Sequence, residues 1–203
     1  MAVCFRGKDD YFQKSWDTIS KYIIEDLKTK YQVDVFLNKY QSPMDAEIIE
    51  KMNPVAILQH NNDRYKYPGE LFINSLQMTE LLNMIMVHEN QNKFKYDYII
   101  ITRFDLTFNQ ELSKCDVNYD KINMECMFVP DMNSGDNFFL FKRDLLDIFK
   151  KSIDNCLYDR KTSHQLFRYF EAYDNDICHY IGGQTSKRHP IYDVMFRFTR
   201  NIQ

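Results

Sequence analysis

The feature that most constrains this chain is residues 98–105, YIIITRFD. Successive strand residues point to opposite faces, so Ile99, Ile100 and Ile101 require apolar cover on both sides. Helices packed on both faces of a parallel sheet are the usual way to provide it. The run then breaks into Thr102, Arg103 and Asp105. In an open α/β sheet, ligands bind beyond the carboxyl ends of the strands. Spacing alone leaves two readings of the break open. One is a structural Arg103–Asp105 ion pair. The other is a ligand site in which Asp105 holds a hard divalent cation and Arg103 pairs with phosphate oxygens.

The chain around this strand alternates in the way an α/β fold needs. Residues 2–5, AVCF, predict a buried first strand that runs into a loop at Arg6 and Gly7. Over 11–30, Phe12, Trp16, Ile19, Ile23 and Leu27 recur at spacings of three and four, which is one face of a helix. Strands are expected at 33–40 and 55–61, a largely buried helix at 71–88, and a fourth strand at 96–105. Short strands at 126–131 and 137–142, helices at 144–157 and 163–174, and a strand-like run at 194–200 follow. The expected fold is α/β, with a mostly parallel central sheet mixed at its edge and flanked by helices.

A length of 203 residues predicts one domain spanning 1–203, whether complete or one unit of a longer protein. A net charge of −3 gives no reason to expect a nucleic-acid partner. The five cysteines are odd in number and none forms a C-x-x-C pair, so reduced thiols in a cytoplasmic setting are expected. Asp9 and Asp10 interrupt the start before any secretory h-region could form, and no apolar run reaches the ~20 residues that span a bilayer.

Other polar segments are also candidates. Asp9 and Asp10 read as a helix N-terminal signal, since carboxylates favour the first turn. Arg6 and Gly7, with Lys8, could cradle a nucleotide or form a solvated loop. Asp63 and Arg64, in HNNDR after the third strand, could contact a ribose, a base or a phosphate, or make a polar turn. Asp136 lies in NSGDNFF, which reads either as a tight turn or as a loop presenting a base; Asp131 competes for that role. His164, His179 and His189 read as ordinary surface or half-buried histidines, and Lys187, Arg188 and His189 as a solvated loop or the group best suited to phosphate.

Residues 96–108, YDYIIITRFDLTF, resemble the core motif of a GT-A-type glycosyltransferase family found in large DNA viruses, bacteria and algae. In that family a strand ends in T-R-x-D and the Asp binds the metal. AVCFRGKDDYFQKSWDTISKYI resembles the family's first strand, loop and helix. LFINSLQMTELLNMI resembles the helix before the metal strand, and PDMNSGDNFFLFKRDLLDIF the N-D-x-F-x-x-G segment. The likeness covers about 4 to 200 and is strongest toward chlorella-virus enzymes that build capsid glycans. It implies a GT-A-like domain and a nucleoside-diphosphate sugar donor, uridine-linked by preference. It also implies a glycan hydroxyl as acceptor and a host-cytoplasmic setting if the chain is viral. Asp105 would hold Mn²⁺ or Mg²⁺. Arg6, Gly7, Asp63, Arg103 and His189 would bind the donor, and Asp136 or Asp131 would be the base. Two departures from the family stand out: Arg103 occupies the place of the first Asp of a D-x-D, and the first loop reads R-G-K-D-D. A sugar nucleotidyltransferase and a noncatalytic nucleotide-sugar or glycan module are the alternatives. The single glycine of FRGKDD counts against the first.

Overall fold

The structure is a computed structural model that describes residues 1–61, 70–125, 127–128, 133–159, 161, 163–174, 176–182, 184–185 and 195–198. Its strands are β1 (Ala2–Gly7), β2 (Asp34–Tyr40), β3 (Ala56–His60), β4 (Tyr98–Arg103), β5 (Leu106–Phe108) and β6 (Ile122–Met124). They continue with β7 (Met127–Phe128), β8 (Asn133–Ser134), β9 (Phe139–Lys142), β10 (Cys178–Tyr180), β11 (Gln184–Thr185) and β12 (Phe196–Phe198). The helices are α1 (Phe12–Ile19), α2 (Asp26–Lys28), α3 (Asp45–Met52), α4 (Glu70–Asn92), α5 (Leu146–Tyr158) and α6 (Leu166–Glu171).

Seven strands form the main sheet, in the order β10-β6-β9-β4-β1-β2-β3. Six run parallel and β9 alone runs against its neighbours β4 and β6. The fold is therefore α/β and Rossmann-like, with the mixed pairing on one side, as the sequence predicts. The chain leaves β1 toward β2 and β3, then returns to place β4 on the other side of β1. That reversal of direction makes the carboxyl ends of β1 and β4 a topological switch point, which is where such sheets bind ligands.

The period of two in each strand divides the core into two layers. Val3, Phe5, Leu37 and Ile100 face α1 and α3 and pack with Phe12, Ile19, Ile48 and Met52. Ala2, Cys4, Ile99 and Ile101 face the other way, onto Leu81, Leu82 and Ile85 of α4 and Phe149 of α5. Ile99, Ile100 and Ile101 are each wholly buried. Each contributes about 1.5–3 kcal/mol by leaving water, which fixes β4 as a central strand.

The structure departs from the sequence reading at several points. The helix expected over 11–30 widens to a π-helical stretch at Ser20–Glu25, which brings the adjacent Ile23 and Ile24 both into the core. Helix α3 has no counterpart in the sequence reading, because only Ile48 and Met52 of its eight residues are buried. The strand expected at 126–131 is displaced. The main-sheet strand is Ile122–Met124, while Met127–Phe128 joins a small three-stranded sheet; 126 and 129–131 lie outside the described residues. Asp9 and Asp10 are not a helix N-terminal signal, since no acidic residue lies in the first turn of α1. Asp9 is buried and pairs instead with Lys39 Nζ at 2.7 Å and accepts from Ser42 Oγ at 2.8 Å. That satisfies a lysine that is itself fully buried at the end of β2.

Candidate active site

The site is built from the row of residues that ends the parallel strands on the α4 face. Arg6 ends β1 on the same face as Ala2 and Cys4, and Arg103 ends β4 on the same face as Ile99 and Ile101. The two arginines are register partners across the β1–β4 pair. Two guanidinium groups thus stand side by side at the switch point. Like charges hold such positions only if counter-charges are close.

Arg103 has its counter-charge two residues away. Its Nε donates to Asp105 Oδ1 at 2.8 Å and its Nη2 to Oδ2 at 2.7 Å. This two-pronged geometry is the strong form of an arginine–carboxylate contact. Burial opposes the Arg103 charge, but Asp105, with Asp136 and Glu125 farther off, outweighs burial and raises its pKa.

Arg6 is buried to 1% exposure. Its Nη1 donates to Asn74 Oδ1 of α4 at 2.9 Å, and its Nη2 donates to the Asp136 carbonyl. Nη2 also lies 3.8 Å from Asp136 Oδ2. Nε has no partner among the described residues. Burial pulls the Arg6 pKa down to about 10, with Arg103 adding repulsion and Asp136 supporting the charge. Gly7 follows with φ +98° and open space where a β-carbon would stand. Only glycine holds that left-handed conformation without strain, so the backbone after β1 stays accessible.

Asp136 arrives just before β9. Its Oδ2 accepts from Asn74 Nδ2 at 3.1 Å and from Ser163 Oγ. His164 Nδ1 lies 3.7 Å from Oδ1. Burial alone would raise this carboxyl, but His164, Arg6, the Ser163 hydroxyl and Arg103 together hold it below its ordinary range. The tight-turn reading of Asp136 is therefore insufficient, because its side chain is interior and tied to three elements.

Glu125, directly after β6, is a member that sequence reasoning missed. It is 5% exposed, and Asn137 Nδ2 donates to its Oε1 at 2.9 Å. Its Oε2 has no partner among the described residues. The side chain lies against Gly135, where a β-carbon would overlap its carboxyl group. Burial, then repulsion from Asp136, pushes this carboxyl up to about 8 against the opposing pull of Asn137, Arg103 and Arg6.

Arg6, Arg103, Asp105, Asp136 and His164 of the sequence candidates thus converge, joined by Asn74, Glu125, Asn137 and Ser163. His179 does not join them. It lies on the edge strand β10, and its Nε2 contacts the Asp116 carbonyl at 2.8 Å. Asp63, Asp131 and His189, with Arg64, Lys187 and Arg188, lie outside the described residues. Among the described residues, no three His, Cys, Asp or Glu side chains group to hold a metal unaided. Cys4, Cys115, Cys156 and Cys178 are not in disulfides, and burial raises the pKa of each of the first three, which makes them poor nucleophiles.

Among the described residues, no helix is long and apolar enough to cross a membrane. The chain matches no protein-family model and no curated protein.

Proposed function

We propose that the chain is a glycosyltransferase that binds a nucleoside-diphosphate sugar, with uridine preferred, and passes the sugar to a glycan hydroxyl. The observation that carries this reading is the arginine pair. Arg6 and Arg103 stand together at the switch point of a Rossmann-like sheet, and Arg6 Nε is buried without a partner among the described residues. A diphosphate supplies the two adjacent anionic groups that such a pair suits, and arginine forks match phosphate oxygens closely. Charge that builds on the diphosphate as the sugar leaves would be stabilised by donors already in place.

Mn²⁺ or Mg²⁺ is compatible with this arrangement as a one-carboxylate site. Asp105 is forked by Arg103, yet each carboxylate oxygen carries two lone pairs. These ions commonly take one or two carboxylates and complete their shell with phosphate oxygens and water. Asp105 would hold the ion, and the ion would supply Lewis-acid neutralisation of the diphosphate. The open backbone at Gly7 leaves room for the nucleotide beside β1.

Calorimetric titration with UDP tests the reading. Wild type should bind UDP, more tightly with Mn²⁺ present. Arg103→Lys should weaken binding about tenfold or more, because lysine cannot reproduce the fork. Asp105→Asn should keep the fold and remove most of the Mn²⁺ enhancement. A wild type that binds no nucleoside diphosphate, with or without metal, would defeat the proposal.

A further inference from the structure

We infer that Glu125 is the side chain that takes the proton from the acceptor hydroxyl, and that Asp136 is a positioning residue that holds Arg6 in place. The inference rests on the transferase reading above.

A base needs a lone pair that the protein leaves unmatched and a proton affinity near the working pH. Asp136 fails the second condition. Its Oδ2 is taken by Asn74 and Ser163, and Arg6 and His164 crowd the group with positive or donor atoms. Partners that stabilise a carboxylate also make it a weak base. The same contacts suit a different task. Arg6 is locked between the Asp136 carbonyl and Asn74, and Asn74 is in turn locked by Asp136. Asp136 thus fixes the guanidinium aimed at the diphosphate.

Glu125 has the complementary arrangement. One oxygen is anchored by Asn137, which fixes the plane of the carboxyl group, and the other has no partner among the described residues. A buried polar atom left unmatched calls for a specific explanation, and a partner brought by substrate is one. Gly135 leaves the room that this rotamer occupies, and any side chain there would displace it. The main chain is held as well, with Gly182 N–H donating to the Glu125 carbonyl at 2.7 Å. The charged groups acting on the carboxyl are Asp136, Arg103 and Arg6. Burial and Asp136 raise its proton affinity toward neutral pH, so it exchanges protons in the range where a base is effective.

The step balances as an inverting displacement. The acceptor O–H proton passes to Glu125 Oε2 as the acceptor oxygen forms a bond to the anomeric carbon. The bond from that carbon to the diphosphate oxygen breaks, and its electron pair leaves with the nucleoside diphosphate beside Arg6 and Arg103. Glu125 then returns its proton to water. Because the group must start ionised, turnover should rise with pH and level off above about 8.

The test compares Glu125→Gln with Asp136→Asn, using UDP with Mn²⁺ as the binding probe. UDP release from a panel of UDP-sugars, with mixed oligosaccharide acceptors, measures turnover. Glu125→Gln should bind UDP within about twofold of wild type and lose about 10²-fold or more in turnover, together with the alkaline rise. Asp136→Asn should weaken UDP binding while keeping that rise. If Glu125→Gln does not fold, Glu125→Asp decides, since it retracts the carboxyl group by one methylene. Unimpaired UDP affinity with reduced turnover supports the assignment. Turnover within about threefold of wild type in the folded Glu125 variant overturns it and leaves the transferase reading standing. A wild type that neither binds UDP nor releases it removes the transferase reading and this assignment with it.

Discussion

Two buried glutamates, one near each end of the central strands, experience opposite surroundings. Glu89, near the end of α4, lies by the amino end of β4. Its Oε1 accepts from Arg143 Nε at 2.8 Å and from the Tyr96 N–H at 3.1 Å. Its Oε2 accepts from Arg143 Nη2 at 2.9 Å and from Lys95 Nζ at 3.0 Å. Burial opposes its charge, but these donors win and its pKa falls below the ordinary value. Glu125, at the carboxyl end, has one donor on one oxygen and an anion nearby, and its pKa rises to about 8. The difference between the two is one of completeness. A carboxylate whose lone pairs are all matched by the protein fastens elements together, here α4, β4 and the end of β9. One left unmatched beside two arginines is equipped to meet something from outside.

The largest effect expected from breaking this contrast is at the fastened end. Glu89→Ala leaves Arg143 without its anion, and loss of one partner of a buried pair costs about 3 kcal/mol. A urea titration should show that loss as a lower midpoint with unchanged slope. Next comes Gly135→Ala. The added methyl must push the Glu125 carboxyl aside, at about 1–3 kcal/mol of stability. It should lower turnover more than UDP affinity, as measured on the same protein. The smallest effect is that of Glu125→Gln, which keeps the size of the side chain and its anchor to Asn137. At about pH 4.5, before the pH-linked decline described below sets in, it should change stability by about 1 kcal/mol or less. A loss comparable to that of Glu89→Ala would make Glu125 a second fastener.

The same contrast sets opposite pH responses. Glu89 has a depressed folded pKa, so its contribution is complete above its ordinary value of 4.5 and is lost as pH falls through the folded value. Glu125 has a raised folded pKa. The unfolded chain releases this proton near 4.5 while the folded protein retains it, so stability declines as pH rises from about 4.5 to about 8 and is then flat. In Glu125→Gln that decline should disappear.

How much of this was legible in the sequence depended on the range of the contacts. The Ile99–Ile101 run announces a doubly covered strand, so Arg103 and Asp105 could be placed at its end, and AVCF did the same for Arg6. Glu125 follows the same carboxyl-end rule. It was hidden because β6 is three residues long and takes its pairing from β9 and β10, which are distant in sequence. Asn74 and Ser163 carry no local mark of function. One sits within a long apolar helix and the other opens a single 3₁₀ turn. Asp9 was misread because its partner Lys39 is thirty positions along the chain, reached only once β1 and β2 pair. Sequence patterns report periodicity and strand ends; they do not report which side chain is left unmatched after folding.

The most direct measurement is a carboxyl ¹³C NMR titration of the protein labelled at glutamate. Glu125 and Glu89 would be assigned by their absence in Glu125→Gln and Glu89→Gln. Glu125 should titrate near 8 and shift when UDP and Mg²⁺ are added, while Glu89 should titrate below 4.5 and remain unmoved. A Glu125 that titrates in the ordinary carboxylate range and ignores UDP would contradict the account.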